Sequence, residues 1–68
     1  MASLALFVDV ILPLPLAGTF TYRVPRMLED GVEVGKRVVV QFGRKKLYTG
    51  IILQIHDRPP VGYQAKYV

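Results

Sequence analysis

Proline and glycine interrupt this chain so often that no long helix fits between the interruptions. Pro13, Pro15, Gly18, Pro25, Gly31, Gly35, Gly43, Gly50, the Pro59-Pro60 pair and Gly62 cut it into short segments. Proline fixes φ and lacks the N–H of a helix or a central strand, and glycine favours turns. What lies between the breaks reads as strand. "LALFVDVI" (Leu4 to Ile11) is β-branched and apolar with Asp9 facing out, and "LPLPLAG" continues it as an extended edge or crossing segment that turns at Gly18. In "TFTYRV", Phe20, Tyr22 and Val24 share one face and Thr19, Thr21 and Arg23 the other, the period of a half-buried strand. Arg26 to Val34 reads as an acidic loop with one helical turn. "GKRVVVQF" (Gly35 to Phe42) is a strand with Val38, Val40 and Phe42 on one face; "GRKKLYTG" is a wide hairpin connection, and "GIILQI" (Gly50 to Ile55) returns. No segment is long and periodic enough for the crossover helices of a parallel sheet. The expected fold is all-β: a small, partly open, OB-like β-barrel or half-barrel of about four to six short strands.

Composition narrows the function classes. A chain of 68 residues holds one domain at most, and with no cysteine it has neither disulfides nor thiolate metal sites. One histidine, His56, does not make a zinc site, and beside Asp57 it reads as a surface pair at a strand end. The hydrophobic share of 51% is high for so short a chain, which implies an N-terminal piece of a longer protein with a face covered by a neighbour. The apolar start is neither signal peptide nor membrane span: no basic residues precede it, Asp9 interrupts it, and Pro13 and Pro15 end it early. A cytoplasmic protein without membrane contact is expected.

Nine lysines and arginines against five acids give a net charge of +4. The cations gather at Lys36-Arg37 and at Arg44-Lys45-Lys46, as a polyanion-binding surface would have them, although solvated loops cluster charge too. No serine–histidine pair or cysteine nucleophile is present, and "GRKKLYTG" lacks the Gly-Lys-Ser/Thr ending of a phosphate loop, so no catalysis is expected from these residues. Aromatic side chains near cations suit single-stranded nucleic acid. Phe20 and Phe42 also read simply as core. Gly43, after a strand-end aromatic, serves either a positive-φ turn or a close approach to backbone.

In order and spacing, "VDVILPLPLAGTFTYRVP" followed by "VEVGKRVVVQFGRKKLYTGIIL" resembles the N-terminal 3′-DNA-binding domain of the PriA (primosomal protein N′) replication-restart helicases. The likeness runs from about Val8 to Ile55. It implies a DNA-binding module that recognises the 3′ end of the nascent leading strand at a stalled or repaired fork. The family's pocket maps by motif to Phe20 in "TFTY", the next position, Gly43 in "QFG", and Lys66 in "QAKYV". Where the family carries an aspartate after the phenylalanine, this chain has Thr21, whose hydroxyl donates and accepts but carries no charge.

The resemblance further implies that Lys36, Arg37, Arg44, Lys45 and Lys46 face the DNA backbone. Residues 1–68 are then one 3′-DNA-binding domain of a longer ATP-dependent 3′-5′ helicase, with 57–68 a linker or the start of a second subdomain. Helicase and winged-helix domains of the same chain, other primosome proteins and single-strand-binding protein are the implied partners. The domain itself needs no cofactor; ATP, magnesium and zinc belong to the later domains. Two rivals stand beside this reading. One is a small basic barrel that binds RNA. The other is a protein-docking domain that uses the apolar region from Leu4 to Leu16.

Overall fold

The computed structural model describes residues 5–15 and 17–68; Leu4 and Leu16, the ends of the apolar region, lie outside them. Four strands form, β1 (Leu6–Ile11), β2 (Phe20–Val24), β3 (Arg37–Phe42) and β4 (Lys46–His56), with a 3-10 helix over Arg26–Gly31 between β2 and β3. The four strands pair antiparallel with one another, in the sheet order β2-β1-β4-β3. The chain is therefore all-β, a curled OB-like half-barrel, as the alternation in "TFTYRV" and "RVVVQF" indicates.

Inward positions recur every second residue. Val8, Val10 and Leu12 meet Tyr22 and Val24 from β2, Val40 from β3 and Ile52 from β4 in one buried cluster. Leu6, Val38, Ile55 and Val68 pack around it. Curling brings the two edge strands toward each other, and Tyr22 bridges them, its hydroxyl donating to the Gln41 carbonyl at 2.9 Å. Phe20 of β2 meets Phe42 of β3 edge to face, with ring centroids 4.7 Å apart.

Two local features depart from the simple reading of the sequence. The β3–β4 hairpin is narrow, because Phe42 pairs with Lys46 and leaves only Gly43, Arg44 and Lys45 as the connection. "KLYT", expected in the connection, belongs to β4. Val40, Tyr48 and their neighbours extend the ladder to the tip, and Gln41 Nε2 clamps the turn by donating to the Arg44 carbonyl at 2.8 Å. The second feature is a β-bulge in β4. Asp9 pairs with Gln54 but Val10 with Ile52, so Leu53 is the extra residue. A bulge shifts the period-2 register by one. Ile52 and Ile55 both turn inward as a result, and His56 is carried to the outer face of the sheet, opposite Phe7.

Gly43 has φ +79°, the left-handed region where an L side chain costs about 1–2 kcal/mol. A Cβ there would meet nothing within 4 Å, so the turn conformation, and no close approach of protein backbone, accounts for the glycine. Gly43→Ala is therefore expected to lower stability by about 1–2 kcal/mol while the protein stays folded, as urea denaturation would show.

The last residues return to the sheet. Arg23 N–H donates to the Lys66 carbonyl at 2.7 Å and Val68 N–H to the Arg23 carbonyl at 3.0 Å, which makes a parallel bridge of Tyr67 to β2. The Arg23 guanidinium sits 5.4 Å from the Tyr67 ring centroid. The free edge of β2 is thus partly covered.

Candidate functional site

The gap between the two edge strands holds a cavity of about 310 Å³. From β2, Phe20, Thr21 and Tyr22 line it; Gln41, Phe42 and Gly43 close the opposite side; Tyr63, Gln64 and Lys66 enter from the C-terminal segment. Phe20, Thr21, Gly43 and Lys66, singled out from sequence on three separate segments, therefore surround one space. Lys66 spans it, its Nζ donating to the Gly43 carbonyl at 3.4 Å.

Each wall has its own chemistry. Phe20 and Phe42, half-buried, give an apolar surface that Tyr48 extends, its ring 6.4 Å from that of Phe42. Core packing and cavity lining are the same surface here. Thr21 N–H lies on the uncovered edge of β2 and donates to the Tyr63 hydroxyl over a long 3.3 Å. Tyr22 is buried; that burial, together with nearby Tyr63, raises its phenol above its ordinary value and keeps it a donor. Lys66 is the one cation among the lining residues.

The basic clusters take two positions. Arg44, Lys45 and Lys46 are exposed at the hairpin tip next to Gly43, at the cavity's rim. Lys36 and Arg37 sit at the other end of β3, roughly 17 Å away at ~3.4 Å per residue. Lys36 Nζ donates to the Gly31 carbonyl at 3.0 Å, and its backbone carbonyl accepts from Ile52 N–H at 2.9 Å.

Beside the cavity lies a polar cluster that the sequence did not reveal. His56 does not pair with Asp57. The bulge turns it toward Asp9, and Nε2 stands 2.9 Å from Asp9 Oδ1. Thr21, opposite Asp9 in the β1–β2 register, donates its hydroxyl to that same oxygen at 2.7 Å. Asp9 does face outward as expected, but it is tied down rather than solvated. Burial pushes its carboxyl up, yet the hydrogen bonds from His56 and Thr21 and the charges of His56 and Arg58 outweigh that and hold it below the ordinary 3.8. In the window below 3.8 the unfolded chain binds more protons than the folded one, so stability is lost as pH falls through it. Chemical denaturation from pH 6 to pH 2 should show this acid limb, and Asp9→Asn should flatten it.

In this cluster the threonine hydroxyl and the imidazole both bond the carboxylate, which is not the hydroxyl-to-imidazole bond of a nucleophile–base pair. Among the described residues no group of three His, Cys, Asp or Glu side chains is placed to hold a metal ion. No helix among them is long and apolar enough to cross a membrane.

A curled four-stranded half-barrel with a cavity at its open seam and cations on the adjoining hairpin belongs to the OB-like class of small β-domains. More narrowly, the chain belongs to the 3′ DNA-binding domain (3′BD) family of PriA, whose family model matches residues 9–68. It is thus a DNA-binding domain, and the match includes the C-terminal segment that brings Lys66 to the cavity. Comparison with curated proteins and with solved structures returned no match.

Proposed function

We propose that the protein holds the 3′ end of a nascent leading strand in the seam cavity and so directs a replication-restart DNA helicase to stalled or repaired forks, where a primosome assembles. The observation that carries this reading is the meeting of Phe20, Thr21, Gly43 and Lys66 around one cavity. Its volume lies at the small end of ligand clefts, ~300–1,000 Å³, which suits a strand end and excludes a duplex.

The terminal base lies against Phe20, where stacking contributes ~1–3 kcal/mol without regard to sequence. Its edge exchanges with Tyr63 for the Thr21 N–H, whose present bond is long enough to give way. Gly43 leaves the 3′ sugar room to approach, and Lys66 turns from a backbone carbonyl to the last phosphate, a stronger, charge-assisted partner. Arg44, Lys45 and Lys46 follow the duplex beside the cavity. Lys36 and Arg37 give a second contact about five base pairs along it, at ~3.4 Å per base pair. Specificity is for an end and not a sequence, since the described residues hold no α-helix to lay in a major groove.

On the outer face Ile11 and Ile51 pair across β1 and β4, and with Leu53, Val39 and Leu47 they stay exposed. Helicase and winged-helix domains of the same protein would cover this face, with ATP, magnesium and zinc residing in them and the whole in a bacterial cytoplasm. Other primosome proteins and single-strand-binding protein are further partners. The same apolar face is the observation that favours a docking role in its own right, alongside DNA binding.

Fluorescence anisotropy tests the proposal with a fork that carries a leading-strand 3′ end at the junction and a fork that lacks that strand. Tighter binding to the first, kept at high salt, is expected; equal binding would overturn it. Neutralising Lys45 and Lys46 together should lower the slope of log K against log salt by about 0.9 for each lost phosphate contact. The preference for an end should remain.

A further inference from the structure

The C-terminal segment separates two surfaces at the edge of β2. Lys66 lies on the cavity side. Tyr67 takes the other side, over Arg23, an exposed residue that alternates with buried Tyr22 and Val24. Backbone bonds hold the ring in place without using its side chain: Arg23 N–H donates to the Lys66 carbonyl at 2.7 Å and Val68 N–H to the Arg23 carbonyl at 3.0 Å. The Arg23 guanidinium covers one face of the ring, 5.4 Å from its centroid. Tyr67 nevertheless stays 54% exposed, which leaves the opposite face open to solvent. Among the described residues the one salt bridge joins His56 to Asp9, so Arg23 has no carboxylate partner. The backbone bridge alone suffices to cover the edge of β2; an open ring with an unneutralised cation behind it is an addition. A base from a single strand fits both parts, since its π-face stacks on the ring while its phosphate meets the guanidinium. A duplex has no free base face to offer inside its stack.

We propose that Tyr67, backed by Arg23, forms a second nucleic-acid site on the outer lip of the cavity: a stacking platform for an unpaired nucleotide of single-stranded DNA. The inference rests on the end-binding reading of the cavity, because that reading says which strand is at hand. A 3′ end held between β2 and β3 leaves its duplex on the hairpin side, at Arg44, Lys45 and Lys46. The template strand runs on past that end without a partner, and the C-terminal segment is the lip that faces it. That lip is a single extended segment, and neighbouring strands lie only ~4.8 Å apart, so an unpaired template base crosses it in a short step. The base stacks on Tyr67, and Arg23 neutralises the adjoining phosphate. Lys66 stays with the strand end inside the cavity. The domain then reads a 3′ end and the unpaired strand beyond it together, without regard to sequence.

The test compares three duplexes of equal length in anisotropy titrations of the protein, each closed at its far end by a loop. One has a recessed 3′ end with a short template overhang, one has the same 3′ end flush, and one is closed at both ends. The overhang should tighten binding over the flush end by about fivefold or more, the lower end of what one stacked base contributes. Tyr67→Phe should keep that gain and Tyr67→Ala should abolish it. Tyr67→Leu still covers β2 but offers no π-face. It should lose the gain while binding the flush end as before, and it decides the matter if Tyr67→Ala releases the segment and draws Lys66 out of the cavity. A fluorescent adenine analogue at the first unpaired template position gives a readout that a covering role would not move. Its emission should be quenched by the native protein and by Tyr67→Phe, and not by Tyr67→Leu. An overhang gain or quenching that persists in Tyr67→Leu would overturn the platform. So would a native protein that binds the overhang and flush duplexes equally while preferring both to the closed one. Equal binding of the flush and closed duplexes would instead overturn the end-binding reading itself, whatever the overhang adds.

Discussion

Phe20→Ala is expected to weaken binding to a fork with a leading-strand 3′ end by about 1–3 kcal/mol, roughly fivefold to 150-fold in Kd. The ring stands at the open seam, edge to face with Phe42, so it offers a surface to a base without leaving the core. Truncation removes that surface and loosens Phe42 together with it. Because Phe20 is half-buried, the variant also loses stability, and the binding comparison belongs at a temperature where circular dichroism shows both proteins folded. Binding to a strandless duplex, which draws on Arg44, Lys45 and Lys46, should change less than twofold. A loss shared equally between the two DNAs would mean that Phe20 acts through the fold alone.

The second large effect concerns the fold that shapes the cavity. Gly50→Ala places a Cβ onto Val10 Cγ1, 2.7 Å from the Ile11 carbonyl oxygen and 3.1 Å from Leu12 Cδ2. Val10 is fully buried and Ile11 is paired with Ile51, so neither yields without disturbing the β1–β4 ladder. Overpacking costs about 1–3 kcal/mol where side chains alone must move, and backbone is involved here. At ~0.05–0.15 kcal/mol per residue, the whole domain holds on the order of 3–10 kcal/mol. A cost near 3 kcal/mol should lower Tm by about 10–25 °C. Thermal melting followed by circular dichroism would measure it. Gly43→Ala, strained but unobstructed, is the contrasting variant. Equal melting of the native protein and Gly50→Ala would show that β1 and β4 do not approach so closely.

Much of this architecture is legible in the chain. The strict alternation of Phe20, Tyr22 and Val24 set the inner face of β2. Proline and glycine set the boundaries, and "QFG" marked the start of the hairpin turn. The motif positions Phe20, Thr21, Gly43 and Lys66, placed by resemblance, meet at one cavity although about forty-five residues of chain separate the first from the last. What stayed hidden depends on contacts between distant segments. "GRKKLYTG" reads as a loop because its cations and glycines outweigh Leu47 and Tyr48 locally, yet pairing with β3 extends β4 to Lys46. From sequence His56 reads as a partner of Asp57, because the two are adjacent. The bulge at Leu53, unmarked by any glycine or proline, reverses that side chain and gives it to Asp9. The part of Tyr63 and Gln64 in the cavity was illegible too, since nothing between Pro59 and Val68 alternates strongly enough to indicate which strand edge it follows.

The central claim is that the cavity, and not the basic hairpin alone, receives the end of a DNA strand. Titrating the ¹⁵N-labelled protein with a dinucleotide that ends in a 3′-hydroxyl, and then with its 3′-phosphate counterpart, tests it most directly. The amide signals of Thr21, Gly43, Tyr63 and Lys66 should move with the hydroxyl-ended ligand and respond far less to the phosphate-ended one. Shifts confined to Arg44, Lys45, Lys46 and the Lys36-Arg37 pair, equal for both ligands, would contradict the account and leave only a basic surface that binds DNA by charge.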